Sequence, residues 1–496
     1  MTSPAPAENA FAIPHDGIPH DQLLAELDAY QAADADYRGG KTWSLVYWAG
    51  EAHKRLLADV SARFISENAL NPLAFKSLQR LEHEVVQMGL ALFNAPAGAT
   101  GTMTSGGTES LLLAVKTYRD QARKKRPWIV RPNMVVPATI HVAFDKAAHL
   151  FGVRKRVARI GPDGAVDVEH MRRLCDSQTI MLAASAPQYA HGTIDPIEAI
   201  AAIARAKRLP LHVDACFGGF VLPFLERLGL DVPPWDFRVE GVTTLSADIH
   251  KYGFGAKGAS LLLHRDPATL RHQFFVATGW AGGIYVSPGL PGTRPGGPIA
   301  SAWAAMRALG ESGYLALARD AWQAATELRQ GIAAIPGLRV MGRPHATIVT
   351  WTSDDPTLDV FAIADILQAE GWGVDRQQLP PSVHLTVNAS NLPVVERYLS
   401  DLRAAVAHVR AHPELRTAGE AAVYGLMARV PEIAGRLGGV FLKDAVLDAA
   451  LPLYTGGGGD APRSALIERH GDKLRKVMDV VEGTKKRVRR LLRGGR

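Results

Sequence analysis

The chain's 496 residues exceed one ordinary domain of ~100–200 residues, so a large core and at least one smaller unit are expected. No apolar run reaches the ~18–20 residues of a membrane helix, and two cysteines, Cys175 and Cys216, cannot form a disulfide framework. The net charge of +7 is local: residues 473–496 hold ten Lys and Arg against Asp479 and Glu482, a surplus of +8 that leaves the other 472 residues at −1.

The body is therefore near neutral, and nucleic acid is not an expected partner. The basic tail reads as a solvated helix, with peripheral contact to anionic membrane as the alternative. The start, MTSPAPAENAFAIPHDG, lacks a basic segment followed by an apolar one, so no signal peptide is expected and the location predicted is cytoplasmic.

In chain order, a flexible start leads to two helices with 3.6-type apolar spacing, at Leu56–Asn68 and Ser77–Phe93. From about residue 100, helices and short apolar strands alternate. Helices are predicted at 111–124, 141–151 and 196–207, and strands at 134–137, 153–160, 180–184, 211–213, 242–245 and 260–263. Such a pattern specifies an α/β fold, a mostly parallel buried sheet with helices on both faces and function at the strands' C-terminal ends. After the Gly/Pro-rich stretch 289–298, helices occupy 299–334. A smaller α+β unit follows, with strands at 338–341, 347–351 and 384–387 and helices at 360–370 and 392–411. Gly456–Gly459 opens a low-complexity break before the tail. The division expected is an N-terminal segment with helices (1–95), a large domain (96–325), a small α+β domain (326–430) and a helical extension ending in the basic tail (431–496).

The chemistry concentrates in three places in the large domain. Lys251 follows His250 in SADIHKYG, after a β-prone run, and a neutral lysine amine forms a Schiff base that a substrate amine displaces. Asp214 ends the strand of LHVDACFGG, where a carboxylate keeps a pyridinium nitrogen protonated. In SGGTES, Ser105, Gly106, Gly107 and Thr108 precede a helix, where backbone N–H groups converge on a phosphate. Each has an ordinary reading alone: a surface charge, a turn cap, a helix cap. Their order together predicts a site for pyridoxal 5′-phosphate (PLP), with no metal.

His250 is expected to add a contact to the cofactor phosphate. His141, opening a helix after a strand, would stack on the pyridine ring. His212 shares the Asp214 side of its strand and is divided between supporting that carboxylate and packing the core. Cys216 reads as a small buried residue beside the ring, not a nucleophile.

The strings GTMTSGGTESLLLAVKTYRD, HVAFDKAAHLFGV, APQYAHGTIDPI, HVDACFGGFVLPF, DFRVEGVTTLSADIHKYGFGAKGASLLLHRD, QFFVATGWAGGIYVSPGLPGTRPGG and AAVYGLMARVPE resemble the sphingosine-1-phosphate lyase family over roughly residues 40–450. That family lies within the fold-type I PLP enzymes, beside the group II amino-acid decarboxylases. The resemblance implies retro-aldol cleavage of a phosphorylated sphingoid base to a long-chain aldehyde and phosphoethanolamine. It implies substrate-phosphate contacts from Tyr47, Lys257 and Asn68, and a tyrosine at Tyr189. Thr293 would reach the cofactor phosphate of a neighbouring subunit, which implies a homodimer. Where the family reads Asn-x-Leu-His-Pro, this chain has Asn68-Ala69-Leu70-Asn71-Pro72, so Asn71 offers an amide in place of a chargeable ring. The membrane helix of eukaryotic members is not expected here. Lys251, Tyr189 and His141 are all candidates for the base. The alternatives are an amino-acid decarboxylase, a lyase for another phosphorylated amino alcohol, and a catalytically silent binding protein on the same fold.

Overall fold

The computed structural model describes residues 13–417, apart from Ala33 and Pro72, together with Leu447 and Leu451. Apart from Leu447 and Leu451, the expected extension 431–496 lies outside the described residues, as do the Gly456–Gly459 break, the basic tail and the string AAVYGLMARVPE.

Three helices come first: α1 (His20–Gln31), α2 (Glu51–Arg63) and α3 (Lys76–Leu92). A βα alternation follows, through β1 (Thr100–Thr104), α4 (Gly107–Lys125), β2 (Asn133–Pro137), α5 (Ala143–Phe151), β3 (Arg154–Ala158), α6 (Val168–Leu174), β4 (Thr179–Ser185), α7 (Ile197–Lys207), β5 (Leu211–Asp214), α8 (Leu222–Arg227), β6 (Val242–Asp248), β7 (Ser260–His264) and α9 (Pro267–Leu270). Seven strands form one sheet in the order β1-β7-β6-β5-β4-β2-β3. All neighbouring pairs are parallel except those made by β7. Both faces are buried, and alternate side chains serve opposite cores. Val135, Leu182, Val213 and Leu245 pack with α3 and α7, while Met134, Val136, Met181 and Ala183 pack with α4 and α5.

The chain then makes a hairpin, β8 (Phe275–Trp280) and β9 (Gly283–Ser287), and enters the 38-residue α10 (Gly296–Ala333), kinked at Gly310 with φ +56°. Buried side chains of α10 belong to the first core up to Ala321 and to a second from Ala324. That second core covers the sheet β10-β11-β13-β12, made of β10 (Leu338–Val340), β11 (Ile348–Ser353), β12 (Asp375–Gln378) and β13 (Pro381–Thr386). Helices α11 (Val360–Ala369) and α12 (Val395–Ala411) pack on it.

Several elements depart from the sequence expectation. The helix expected at 56–68 runs Glu51–Arg63, because Gly50 (φ +97°) ends the preceding turn and a polar first turn precedes the apolar spacing. The hairpin β8–β9 carries no alternating pattern because most of its residues are exposed on both faces. Strand β12, Asp-Arg-Gln-Gln, has no apolar residue and is held by its pairing with β13. Helices α6 and α8 are seven and six residues long, too short to show periodicity. Residues near the N-terminus also join the second core: Thr42 pairs with Gly373, and the buried Trp43 stacks on Trp372 at 5.7 Å.

Candidate active site

Parallel strands β4, β5 and β6 end side by side at Ser185, Asp214 and Asp248, and a cavity of about 390 Å³ opens at those ends. Lys251 lines it from the loop after β6, with Nζ 3.0 Å from Asp248 Oδ2. Burial lowers the Lys251 amine, but the charge and hydrogen bond of Asp248, together with the nearby Cys216 and Asp214, outweigh it and hold the ammonium well above the ordinary lysine range. Burial likewise works against the Asp248 carboxylate, and Lys251 and then His250 hold it below its usual value. His250 Nε2 is 3.7 Å from the same oxygen, and its Nδ1 accepts from the Ala259 N–H at 3.2 Å. Burial lowers the His250 ring, keeping it neutral near pH 7. Asp248 was not singled out from the sequence. Strand β6 runs three residues beyond the expected end and carries it in, and the signal was its position three residues before Lys251.

Asp214 Oδ1 accepts from the Cys216 N–H at 3.0 Å and from Ser246 Oγ at 3.5 Å. Ser246 Oγ is also 3.2 Å from His212 Nε2, and His212 Nδ1 is 2.9 Å from Thr244 Oγ1. His212 is fully buried and depressed to about 3 by burial and by His264, so it is a neutral support reaching Asp214 through Ser246. Cys216 lines the cavity, and its Sγ–H donates to Ser246 Oγ. Burial, then Asp214 and Asp248, push its thiol far up, which keeps it protonated and poorly nucleophilic.

The Ser105–Thr108 loop leads into α4 and forms another wall. Glu109 ties it down: Oε2 accepts from the Ser105 N–H and Oγ, both at 2.7 Å, and Oε1 accepts from the Leu290 N–H at 2.8 Å. A Cβ on Gly107 would lie 2.8 and 2.9 Å from the Asp248 carboxylate oxygens and 2.9 Å from Cys216 Sγ, so only glycine lets the backbone approach this closely. His141 lines the cavity from the start of α5, its Nδ1 accepting from the Ala143 N–H at 3.2 Å. An amine, an acid at the neighbouring strand end, an imidazole and a glycine cradle line one cavity, a donor set that fits PLP.

Lys257 and Tyr47 are not among the residues that line this cavity: Tyr47 lines a separate pocket of about 280 Å³ with His53, Ser61 and Phe254, and Lys257 Nζ reaches back to the His250 carbonyl at 3.4 Å. Lys257 Nζ donates to the Leu45 carbonyl at 2.7 Å and lies 5.4 Å from the centre of the Tyr47 ring. Burial and then the nearby Lys251 lower the Lys257 ammonium, against a smaller opposing pull from the Asp248 carboxylate. Tyr47 is raised by burial first, then by Tyr189, Asp248 and Asp375. Tyr189 lines the cavity and its hydroxyl donates to Asp375 Oδ2 at 3.1 Å. Asn68, Asn71 and Thr293 are not among the residues that line the Lys251 cavity. Asn68 pairs through its backbone with Pro295, and Asn71 lines another cavity with Glu82, Val286 and Arg294.

The profile of the pyridoxal-dependent decarboxylase conserved domain matches residues 41–352. Sphingosine-1-phosphate lyase from Oryza sativa subsp. japonica is 40% identical over 420 residues, covering 83% of this chain and 77% of that protein. The solved sphingosine-1-phosphate lyase of Burkholderia pseudomallei is similar with a TM-score of 0.77 and 41% identity, over 82% of this chain and 94% of that one. Glutamate decarboxylase of Lactobacillus brevis, with a TM-score of 0.71, 20% identity and coverage of 81% and 95%, shares the fold. The chain belongs to the sphingosine-1-phosphate lyase family, within the pyridoxal-dependent decarboxylase group.

Proposed function

We propose that this protein is a PLP-dependent aldehyde-lyase that cleaves the C2–C3 bond of phosphorylated sphingoid bases, giving a long-chain aldehyde and phosphoethanolamine. The observation that carries the reading is the second cation: Lys257 lies against the Tyr47 ring, donates to the Leu45 and His250 carbonyls, and among the described residues makes no salt bridge. An ammonium in that state suits a substrate phosphate distinct from the cofactor's own.

When bound, PLP supplies an aldehyde for amines and a ring that takes up the electron pair of the breaking bond. Lys251 would be the amine that holds the cofactor and gives way to the substrate amine. Asp214, fixed by the Cys216 N–H and Ser246, keeps the ring nitrogen protonated and so favours charge moving into the ring. Gly107, Thr108 and His250 would hold the cofactor phosphate, and His141 would lie against the ring. Tyr47 and Lys257 anchor the substrate phosphate and thereby set rotation about the N–C2 bond, so that C2–C3 stands in the orientation that breaks. Lys251, once displaced and carrying the proton that the substrate's ammonium brings in, would be the group placed to donate a proton to C2.

We place Asn68, Asn71 and Thr293 in the site of a second copy of the chain, as a homodimer with shared sites. Asn71 shares a cavity with Val286 of the exposed β8–β9 hairpin, whose Phe275, Trp280 and Ile284 are 56%, 60% and 78% exposed. Among the described residues no helix is long and apolar enough to cross a membrane. The test is product analysis on PLP-loaded protein with phosphorylated sphingoid bases, phosphoserine and plain amino acids. Fatty aldehyde from the first substrate alone supports the reading, and CO₂ from the others refutes it.

A further inference from the structure

One acidic group at the mouth of the Lys251 cavity has no role in the scheme above. Asp375 opens β12 and arrives from the second sheet, not from the strands that build the cavity floor. Its Oδ2 accepts two hydrogen bonds, at 2.5 Å from Ser44 Oγ and at 3.1 Å from the Tyr189 hydroxyl. The Tyr189 ring is clamped as well. It lies 4.1 Å, centre to centre, from His384, the register partner of Asp375 on β13. Thr350, next in the sheet, donates to the Ala190 carbonyl at 2.7 Å and fixes the backbone that carries Tyr189. A hydroxyl has one hydrogen to give and two lone pairs to offer. With its hydrogen committed to Asp375, Tyr189 turns acceptor capacity toward the cavity that it lines with Lys251.

We propose that Tyr189 and Asp375 form a proton relay for the cleavage, with Asp375 as the final acceptor; the inference rests on the lyase reading. The substrate's 3-hydroxyl passes its proton to Tyr189 Oη as the original Tyr189 proton moves to Asp375 Oδ2. The C3–O bond becomes a carbonyl, the C2–C3 bond breaks, and its electron pair passes to the cofactor. Asp375, itself half-buried, then releases the proton to solvent. The charged and titratable groups facing the pair are Lys251, Tyr47 and His384. Burial and then Asp375 raise the Tyr189 hydroxyl, so a standing phenolate is disfavoured. A hydroxyl that gives up its proton as it receives one never becomes that phenolate. His384, depressed to about 4 by burial, is neutral and serves as a flat support.

The test separates proton acceptance from positioning. In Asp375→Asn the amide oxygen still accepts the Tyr189 hydrogen bond, but it cannot take the proton. With PLP-loaded enzyme and a phosphorylated sphingoid base, kcat should fall by ~10²–10⁴-fold while KM stays within about threefold. Tyr189→Phe should lose a similar factor, and the double variant should be no worse than either single one, because one path is broken twice. Asp375→Glu should recover part of the rate. A phosphorylated base lacking the 3-hydroxyl should bind all variants as it binds wild type, and the absorbance of bound cofactor should not change. Asp375→Asn at wild-type kcat overturns the relay, as do losses that multiply in the double variant or equal losses in analogue binding. If Asp375→Asn does not load with PLP, Tyr189→Phe decides alone: wild-type kcat there also overturns it. Wild-type protein that releases no aldehyde overturns the lyase reading, and the relay with it.

Discussion

Replacing Asp248 by Asn probes the charge balance on which the whole cavity depends. Asp248 is 2% exposed in its side chain, and Lys251, 3.0 Å away, is 29% exposed. Removing one member of a buried ion pair costs ~3–5 kcal/mol, because the remaining charge loses its partner in a poorly solvated place. Partial access of water to Lys251 and the acceptor retained by Asn reduce this to roughly 2–3 kcal/mol for the cofactor-free protein. The pH dependence follows from the two shifts. Asp248 is held below its unfolded value, so its contribution is complete above the ordinary carboxylate range and is lost as pH falls through its depressed value. Lys251 is held above its unfolded value, so its share is complete below the ordinary lysine range and is lost only as pH rises beyond it. Denaturant unfolding of cofactor-free wild type and Asp248→Asn should therefore differ by roughly 2–3 kcal/mol at pH 7.5, and the gap should close progressively below about pH 4. A variant as stable as wild type at pH 7.5, or a gap unchanged at pH 3, would refute the ion-pair account.

Lys251→Ala should abolish turnover and the absorbance of the lysine-bound cofactor, since no other amine lines the cavity among the described residues. Lys257→Ala should raise KM for phosphorylated substrates by roughly 10- to 100-fold, the loss of a charge-assisted contact, with PLP affinity measured by titration unchanged. Gly107→Ala sets a Cβ 2.8 Å from a carboxylate that Lys251 holds in place, so PLP should bind roughly 5- to 100-fold more weakly, an overpacking cost of about 1–3 kcal/mol that reconstitution of cofactor-free protein would measure. Refolding Lys251→Ala together with Asn68→Ala should recover about a quarter of wild-type activity if partners share sites, since half of the dimers then carry one intact site. Additivity with no recovery would place Asn68 in its own chain's site.

Much of the site was legible in linear order because its parts stand at strand ends. A lysine after His250, an aspartate closing LHVD and glycines before a helix each occupy a position that the βα alternation makes functional. The central strands, their mostly parallel sense and the helices on both faces follow from short apolar runs separated by helical periods, whereas the edge strand β1, Thr-Gly-Thr-Met-Thr, has no such run and was not expected. Asp248 escaped notice because an acid inside a strand shows no periodicity of its own, and it becomes meaningful only through its 3.0 Å approach to Lys251. Asp375 and Ser44 lie 331 positions apart, in a polar strand and an irregular N-terminal segment, and meet at one oxygen only because the second sheet docks there. The separation of Asn68 and Asn71 from Lys251 was equally invisible, since adjacency in a motif says nothing about which mouth a loop faces. Local chemistry is thus written in the order of the residues, because backbone geometry repeats with short periods. Which distant side chains share one desolvated space is decided by packing between the two sheets, and no short-range pattern encodes that.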